Sequence, residues 1–497
     1  MAQAVTLGVL LAHILFRLSA PPWTVKMRSY RVAHHLASRQ AGGLSLRCAA
    51  ALPGAGRALP SRATFLRALV TQQTSTSNTF SVPDIPEKVQ TSFAEVTDEE
   101  ESVVTKPTIF SPTEEHQALR EMVRSFTETE VEPQAIEYNR AEKMNVPLFR
   151  RLGELGLLGV TVPEEYGGSG LDSTAAVIIH EELASSDPAF CLSYLAHSML
   201  FVNNLAQNGN EEQKRRWLPS ACDGSKIGGM CMSEPSAGTD VLAMKTTAVR
   251  DGNEYVLNGT KMWITNGTLD GASTGDFYLV YARTGKKAKD LSLFIVEKGT
   301  PGFSLGQKIQ DKCGMRASMT AELVFEDVRV PAANLVGQEG AATLCMMRNL
   351  QIERVVLAAM SLGIARRCVE EMNRYGRERQ VFGSHLNKIG QMQRLIAISY
   401  ADYMAGRTYV YNTANHLALE SVGDGLDADG VKLFCGEMAK NVADNAMQLM
   451  GGYGYCGEYN VERLWRDSKL LEIGGGTNEA HHKNMVRDLS RNVDKLP

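Results

Sequence analysis

The hydrophobic period of this chain changes twice, and these changes limit the folds that it can adopt. Apolar residues recur at three- and four-residue spacings from Leu119 to about Ala206, which predicts helices. From Ile227 to Leu335, short runs rich in β-branched and aromatic residues are separated by turn dipeptides, which predicts strands. Helical spacing returns at Ala341. The sequence therefore predicts an α+β fold in which a helical, a β and a second helical domain follow one another.

Local signals refine this outline. Ser111-Pro112-Thr113-Glu114 has the residue types of a capping box, with Ser111 as the cap of the first helix. Asn258-Gly259 and Asn266-Gly267 are predicted turns between antiparallel strands. We place an N-terminal helical domain at residues 111–226, an antiparallel β domain at 227–338 and a C-terminal helical domain at 339–497.

The amino-terminal segment has a distinct composition. Residues 1–83 contain neither Asp nor Glu, are rich in Ser and carry nine Lys or Arg residues. This composition is typical of a mitochondrial transit peptide. A secretory signal is the alternative because Val5–Phe16 is apolar, but no basic residue precedes that run and it is too short to span a bilayer. We therefore expect a mitochondrial matrix location, no transmembrane segment, and a polar linker at residues 84–110.

Composition and motif spacing exclude several classes of protein. The net charge of −4 argues against nucleic-acid binding, which normally requires a basic excess. The nine cysteines include no Cys-x-x-Cys pair, so no metal site is predicted. Gly452-Tyr-Gly454-Tyr-Cys-Gly457 matches the dinucleotide fingerprint by letter, but it follows a helical pattern rather than a strand. We interpret it as a glycine turn that ends a helix.

One carboxylate interrupts a long apolar helical pattern. Glu353 is the only acid between Glu339 and Glu370, and apolar residues flank it at helical spacing. A carboxylate in such a helix is unfavourable unless it is paired, hydrogen-bonded or used. One interpretation is a salt bridge to an arginine of another helix, and the other is a general base whose pKa is raised by burial. The helix alone leaves both interpretations open.

Several separated blocks resemble signatures of the acyl-CoA dehydrogenase family. Cys231–Asp240 resembles the first signature, and Gln448–Tyr455, followed by Arg463 and Asp467, resembles the second. The resemblance extends over roughly Ser111 to Arg487. It implies the fold of that family, in which an N-terminal helical domain, a central β domain and a C-terminal four-helix bundle follow one another.

The resemblance also implies FAD as the cofactor. Ser233 and Thr265 offer hydroxyls to a flavin edge, and Trp263 offers a flat stacking face, although a core aromatic of the β domain is the alternative for Trp263. The segment that includes Gln448, together with Arg379, is implied to serve the FAD of a neighbouring subunit, which implies a homotetramer. The implied FAD contacts are Met230, Cys231, Met232, Ser233, Trp263, Ile264, Thr265, Arg379, Gln448, Leu449, Met450, Gly451, Gly452, Thr477, Asn478 and Glu479.

The position of the base distinguishes branches of this family. Most members carry a catalytic Glu just before the Gly-Thr pair, where this chain has Gly475. The isovaleryl and long-chain branches place it on the helix after the β domain, and Ile352-Glu353-Arg354 resembles that motif. The resemblance therefore implies Glu353 as the base, with open space at Gly475 for a branched acyl chain. The implied substrate contacts are Thr239, Gln351, Ile352, Arg354, Gly475 and Gly476.

The resemblance implies oxidation of a short branched acyl-CoA, isovaleryl-CoA, to 3-methylcrotonyl-CoA, a step of leucine catabolism. Glu353 is expected to remove the α-proton while the β-hydrogen leaves as a hydride to the flavin. Electrons are then expected to pass to electron-transfer flavoprotein. The alternatives are a long-chain or other branched-chain acyl-CoA dehydrogenase, an acyl-CoA oxidase, and an acyl-CoA-binding assembly factor without turnover.

We expect the mature chain to begin between Arg67 and Pro107, because the acid-free leader ends there in a polar linker. Amino-terminal sequencing of protein purified from the source organelle measures this directly. A mature chain that keeps Met1–Arg47, or protein recovered outside the cell, would contradict the prediction.

Overall fold

The computed structural model describes residues 107–420 and 425–491. Helices, then strands, then helices follow one another along these ranges, which confirms the predicted α+β fold class. The predicted transit peptide at residues 1–83 and most of the predicted linker lie outside the described residues.

The N-terminal region is helical. Helix α1 continues through a π-helical turn, Thr127–Val131, into α2, and α5 continues through a second, Ser198–Asn203, into α6. The helices are α1 (Glu114–Phe126), α2 (Glu132–Ala141), α3 (Val146–Glu154), α4 (Ser173–Ala184), α5 (Pro188–His197), α6 (Asn204–Asn208) and α7 (Glu211–Cys222).

The cap of the first helix differs from the prediction. Helix α1 begins at Glu114, and its cap is Thr113, whose side-chain oxygen accepts a hydrogen bond from the His116 N–H at 3.2 Å. The prediction of Ser111 as the cap is wrong because the backbone of Ser111 is already paired with Thr108 in a short bridge. A threonine nearer the helix therefore satisfies the free N–H groups.

One continuous helical stretch, Pro188–Asn208, is long and apolar enough to cross a membrane by length and composition. Its apolar part is 89% buried inside the protein. Core helices of globular domains have the same length and composition, and here the stretch packs between the helical core and the sheet.

The central region is one twisted sheet, in the order β6-β7-β3-β2-β4-β5-β8, with β1 paired to β4. Most pairings are antiparallel as predicted, but β1 runs parallel to β4 and β2 meets β4 in parallel at Thr247 and Arg283. The sheet is therefore mixed, because the chain crosses over between these strands instead of turning directly back. The strands are β1 (Gly228–Cys231), β2 (Thr247–Asp251), β3 (Glu254–Thr265), β4 (Phe277–Arg283), β5 (Leu291–Glu297), β6 (Phe303–Lys308), β7 (Thr320–Pro331) and β8 (Leu335–Val336).

One predicted turn is a bulge. Asn258-Gly259 lies inside β3, where the pairing with β7 shifts by one residue between Leu257 and Gly259. A Cβ on Gly259 would lie 2.5 Å from the Thr246 hydroxyl oxygen, so glycine permits this close approach. The second predicted turn, Asn266-Gly267, does follow the end of β3. A further register shift lies between Lys261 and Ile264 and displaces the residues between them from the ladder.

The C-terminal region is a helical bundle. Helices α8, α9 and α10 pack on one another, and α12 and α13 pack on α10. A small hairpin, β9 (Gln380–Val381) and β10 (Ser384–His385), joins α8 to α9. The helices are α8 (Ala342–Glu378), α9 (Gly390–His416), α10 (Leu426–Met450), α11 (Gly452–Tyr455), α12 (Asn460–Ser468) and α13 (Asn478–Arg491).

A buried ionic network ties the two helical regions together. The Glu182 carboxylate on α4 accepts hydrogen bonds from Arg120 of α1 at 2.6 Å and from Arg366 of α8 at 2.7 Å. Burial alone would raise the pKa of Glu182, but Arg366, with help from Arg124 and Arg120, holds it below its ordinary range. The stabilisation from this carboxylate is therefore present at neutral pH and is lost when acid protonates it.

We expect Glu182→Gln to lower the free energy of unfolding by about 3–5 kcal/mol, because it leaves buried arginines without their counter-charge. Glu137→Gln on the exposed face of α2 is the matched control and should change it by less than about 0.5 kcal/mol. Denaturant unfolding followed by circular dichroism measures both. Equal midpoints for the two variants would show that this network does not stabilise the fold.

Candidate active site

The Glu353 side chain is buried on α8 without a polar partner for one of its oxygens. The residue is 7% exposed, and no donor among the described residues hydrogen-bonds to its Oε2 atom. The neighbouring Arg354 pairs with Asp429 at 3.0 Å, and no arginine of another helix forms a salt bridge with Glu353 within the described residues. Burial raises the pKa of Glu353 to about 7, against the opposing charges of Arg354 and Lys432.

The structure brings Glu353 and Gly475 together. Gly475 lies in the glycine turn before α13 with φ +68°, and a Cβ built on it would lie 3.6 Å from the Glu353 Oε1 atom. The same Cβ would lie 2.2 Å from Cδ1 of Leu357. The expected open space at Gly475 is therefore wrong, because the Leu357 side chain fills it. A side chain at residue 475 requires both movement of Leu357 and a strained backbone.

A polar cluster that the sequence analysis missed lies behind this turn. The Gly476 carbonyl oxygen accepts hydrogen bonds from Lys432 Nζ at 2.7 Å and from His481 Nε2 at 3.0 Å. His481 also binds Asp429 through Nδ1. Burial lowers the pKa of Lys432 to about 8, with Glu353 as the main opposing charge. The sequence signal for this cluster was the pair Asp429 and Lys432, two charged residues three positions apart on the buried face of α10.

The predicted flavin-facing residues form a second group at the end of β1 and β3. The backbone carbonyl of Ser233, just after β1, accepts a hydrogen bond from the Met262 N–H at 2.9 Å, which joins the two segments. Trp263 has φ +59° and is 55% exposed, so its interpretation as a core aromatic is wrong. A tryptophan held exposed in a left-handed backbone indicates a functional surface.

The other members of this group differ in what they can offer a ligand. The side chains of Cys231 and Ile264 are buried in the sheet core, so only their backbone atoms can face outward. Met230 and Met232 pack on the helical side of the sheet, and Thr265 is partly exposed.

A buried ion pair fixes this second group. Lys261 Nζ lies 2.9 Å from Glu234 Oε1 and donates to the Met232 carbonyl oxygen at 3.1 Å. Burial lowers the pKa of Lys261, and the Glu234 carboxylate opposes that shift. The pair holds the segment after β1 against β3 at the point where the β3 register shifts. Neither residue stands out in the sequence as part of a site.

Contacts between helix and sheet link this group to Glu353. Asn204 Nδ2 donates to the Tyr281 hydroxyl at 3.4 Å and lies 3.9 Å from the Met230 sulfur. Burial raises the pKa of Tyr281 above its ordinary range, and the Glu353 charge contributes to that shift. The base candidate and the end of β1 therefore both lie near Tyr281.

A third group lies at the far end of the bundle. Arg379, Leu449, Met450, Gly451 and Gly452 line a cavity of about 580 Å³. A Cβ on Gly451 or Gly452 would meet no atom within 4 Å, so the backbone there is open to a ligand or partner. The exposed Gln448 precedes this segment. Along α10, Lys432 and Met450 are separated by about 27 Å at 1.5 Å per residue, so this group lies far from Glu353.

The remaining predicted residues flank these groups. Thr477 caps α13 by accepting from the Ala480 N–H at 3.3 Å, and Asn478 donates to Glu437 at 3.2 Å. Glu479 is exposed beside them, and Thr239 is exposed in the loop after β1. Gln351 and Ile352 are buried next to Glu353 on α8. Within the described residues, no group of three His, Cys, Asp or Glu is arranged to hold a metal ion.

Family comparisons match each part of this architecture. Residues 113–225 match the N-terminal domain of acyl-CoA dehydrogenase, residues 229–328 its middle domain and residues 343–490 its C-terminal domain. Mitochondrial isovaleryl-CoA dehydrogenase of Pongo abelii is 43% identical over 372 residues, which are 74% of this chain and 86% of that protein.

Solved structures with a similar fold include a dehydrogenase of the same kind. Butyryl-CoA dehydrogenase from Megasphaera elsdenii superposes with a TM-score of 0.73 at 35% identity, over 76% of this chain and 99% of that one. A structure described as the electron transferring flavoprotein of Acidaminococcus fermentans has the same TM-score, 0.73, at 37% identity and the same coverage, 76% and 99%. On these domain matches and identities, the chain belongs to the acyl-CoA dehydrogenase family, and its activity is that of an acyl-CoA dehydrogenase.

Proposed function

We propose that this acyl-CoA dehydrogenase uses FAD to oxidise a short branched acyl-CoA, with isovaleryl-CoA as the substrate and Glu353 as the base. The observation that carries the proposal is the buried, partly unpartnered Glu353 carboxylate beside Gly475. Because Gly475 has no side chain, it cannot remove a proton. Glu353 is the acid that faces this space, and its pKa of about 7 suits a base at neutral pH.

The residues present fit FAD. Trp263 offers an exposed aromatic face next to Ser233 and Thr265, and the open backbone at Gly451 and Gly452 leaves room for a bulky group. When bound, FAD accepts the two electrons that leave the substrate. The chain supplies the rest: the Lys261–Glu234 pair fixes the segment that carries Ser233, and the Gly475–Gly476 turn forms a wall of the space beside Glu353.

Glu353 is proposed to take the proton from the carbon next to the thioester carbonyl. That proton is acidic because the resulting negative charge is shared with the carbonyl oxygen. The apolar surroundings, which include Ile352 and Leu357, exclude water from the carboxylate and keep it reactive. Gln351, Arg354, Gly476 and Thr239 are proposed to border the acyl-CoA, and Thr477, Asn478 and Glu479 the cofactor.

The choice of a branched substrate is supported by the relative named for isovaleryl-CoA. Butyryl-CoA, a straight short chain, is the second candidate because the Megasphaera elsdenii enzyme is named for it. Leu357 narrows the space at Gly475, so the branched end of the substrate must be accommodated elsewhere in the pocket or by movement of this side chain.

Three further features belong to the proposal. Electron-transfer flavoprotein is the proposed acceptor, supported by the similar structure described by that name. A homotetramer is proposed because the group at Arg379 and Leu449–Gly452 lies far from Glu353 along α10 and is open to a second copy of the chain. The mitochondrial matrix is proposed from the leader composition and from the mitochondrial relative.

We expect Glu353→Gln to keep bound FAD but to lower turnover by roughly 10²–10⁴-fold, because the positioned base is lost. In the wild type, kcat/KM should fall as the pH drops through about 7, since a protonated Glu353 cannot accept the α-proton. Glu370→Gln, on the same helix but exposed, is the control and should keep the wild-type rate and pH profile. Near wild-type turnover by Glu353→Gln would assign the base to another residue.

We expect the purified holoprotein to be yellow and to be bleached without oxygen by isovaleryl-CoA faster than by butyryl-CoA or a long straight acyl-CoA. Stopped-flow absorbance with equal concentrations of each thioester gives the ranking. A clear preference for butyryl-CoA supports the second candidate, and well-folded protein without flavin argues against the proposed cofactor.

A further inference from the structure

We infer that Lys432 is a positioning residue for Glu353: it holds the Gly475–Gly476 turn through the Gly476 carbonyl and places a buried positive charge, without an ion-pair partner among the described residues, behind the base. The inference rests on the proposed function, since it assigns a role to Lys432 in the proton removal by Glu353. It gives the cluster behind the turn a function that neither the family signatures nor the substrate contacts include.

The Gly476 carbonyl is held in place by two hydrogen bonds. Lys432 of α10 and His481 of α13 approach this single oxygen from two helices, at 2.7 and 3.0 Å. Both side chains are buried, Lys432 at 1% exposure and His481 at 0%. A Cβ on Gly476 would lie 3.1 Å from the His481 ring, so the turn is seated directly on that ring. Two buried donors on one carbonyl prevent the turn from moving away from Glu353.

Lys432 differs from the other cation near Glu353 in its ion pairing. Arg354 also lies near Glu353, but its charge is matched by Asp429 in an ion pair at 3.0 Å. Lys432 forms no ion pair with any described carboxylate, and its hydrogen bond goes to a neutral carbonyl. Glu353 likewise has no ion pair in the described part of the chain. Each is therefore a buried charge without an ion-pair partner, and each contributes to stabilising the charge of the other across the turn.

The remaining ionisable groups around Glu353 come from each element packed against it. Tyr281 of β4 lies close enough for the Glu353 charge to affect it, and it stays protonated at working pH because burial raises its pKa. Glu472, before the glycine turn, and Asp429 oppose Lys432 with negative charge. His481 is buried, which lowers its pKa, while Asp429 opposes that shift. Among these groups and Arg354, Lys432 supplies the positive charge with no ion-pair partner.

The alternative is that Lys432 has a purely structural role, through its hydrogen bond to the Gly476 carbonyl. In a purely structural role, loss of Lys432 would lower activity equally at every pH, because the hydrogen bond to the carbonyl does not depend on the protonation state of Glu353. A charge that stabilises the Glu353 carboxylate matters most near the pH at which Glu353 titrates. The pH profile therefore separates the two roles.

The experiment compares Lys432→Met and Lys432→Arg holoenzymes with the wild type over pH 5–9, with isovaleryl-CoA as the probe. Removal of the cation destabilises the carboxylate, so the acid limb of kcat/KM should move up by about one pH unit in Lys432→Met. Turnover at low pH then falls about tenfold and recovers at high pH. Lys432→Arg keeps the charge and should keep the acid limb near its wild-type position.

Two controls test whether the loss of any buried or half-buried donor, rather than of Lys432 in particular, shifts the acid limb of kcat/KM. His481→Gln removes the other side chain that donates to the Gly476 carbonyl but leaves the Lys432 cation in place, and it should not move the acid limb. Lys312→Met removes a half-buried lysine that donates to Thr320 at 2.8 Å and should also leave the acid limb in place. Loss of activity at all pH values with an unmoved acid limb in Lys432→Met would overturn the inference.

A readout without turnover separates this inference from the proposed function. Infrared difference spectra of the holoprotein, with Glu353→Gln identifying the carboxyl band, follow the protonation of Glu353 directly. The inference requires this band to titrate about one pH unit higher in Lys432→Met, and an unshifted titration contradicts it. If the wild type fails to oxidise acyl-CoA, the proposed function fails, and the infrared result still decides the role of Lys432.

Discussion

A carboxylate buried among apolar side chains, with one oxygen lacking a hydrogen-bond donor in the described structure, is the constraint on which the site depends. Such a group is unfavourable in a helix that only has to pack. The fold nevertheless places Glu353 in the first half of α8, the longest helix of the described residues, and brings the glycine turn against it. Each of these features has a chemical use if the carboxylate removes a proton, and none is needed for stability alone.

Two other buried charge arrangements hold the surroundings in place. The arginines around Glu182 connect α1, α4 and α8, so the helix that carries Glu353 is anchored to the N-terminal region. Lys261 and Glu234 fix the segment after β1 against β3. They hold α8 and the segment that carries Ser233 in place, and the proposed reaction, which removes two hydrogens from adjacent carbons, needs a constant distance between the proposed base and cofactor.

The sequence predicted the order of the domains because the hydrophobic period reports which residues face a core. It also indicated a buried carboxylate at Glu353, since a lone acid in an apolar helix stands out against its neighbours. Lys432 and His481 were missed because they act on a carbonyl that is 44 and 5 residues away in sequence. The Leu357 side chain at Gly475 could not be predicted, because which side chain packs against a turn depends on the tertiary structure. The bulge at Gly259 was read as a turn because both use the same Asn-Gly pair.

Hydrogen exchange at the α-carbon tests the role of Glu353 most directly, because it needs the base but no electron transfer. An acyl-CoA analogue with oxygen or sulfur in place of the β-carbon cannot be dehydrogenated, yet its α-proton remains acidic. In D₂O the wild-type holoenzyme should incorporate deuterium at that carbon, at a rate that falls as the pH drops through about 7. Glu353→Gln should give no exchange above the uncatalysed rate. Exchange by Glu353→Gln at the wild-type rate would show that another group removes the proton.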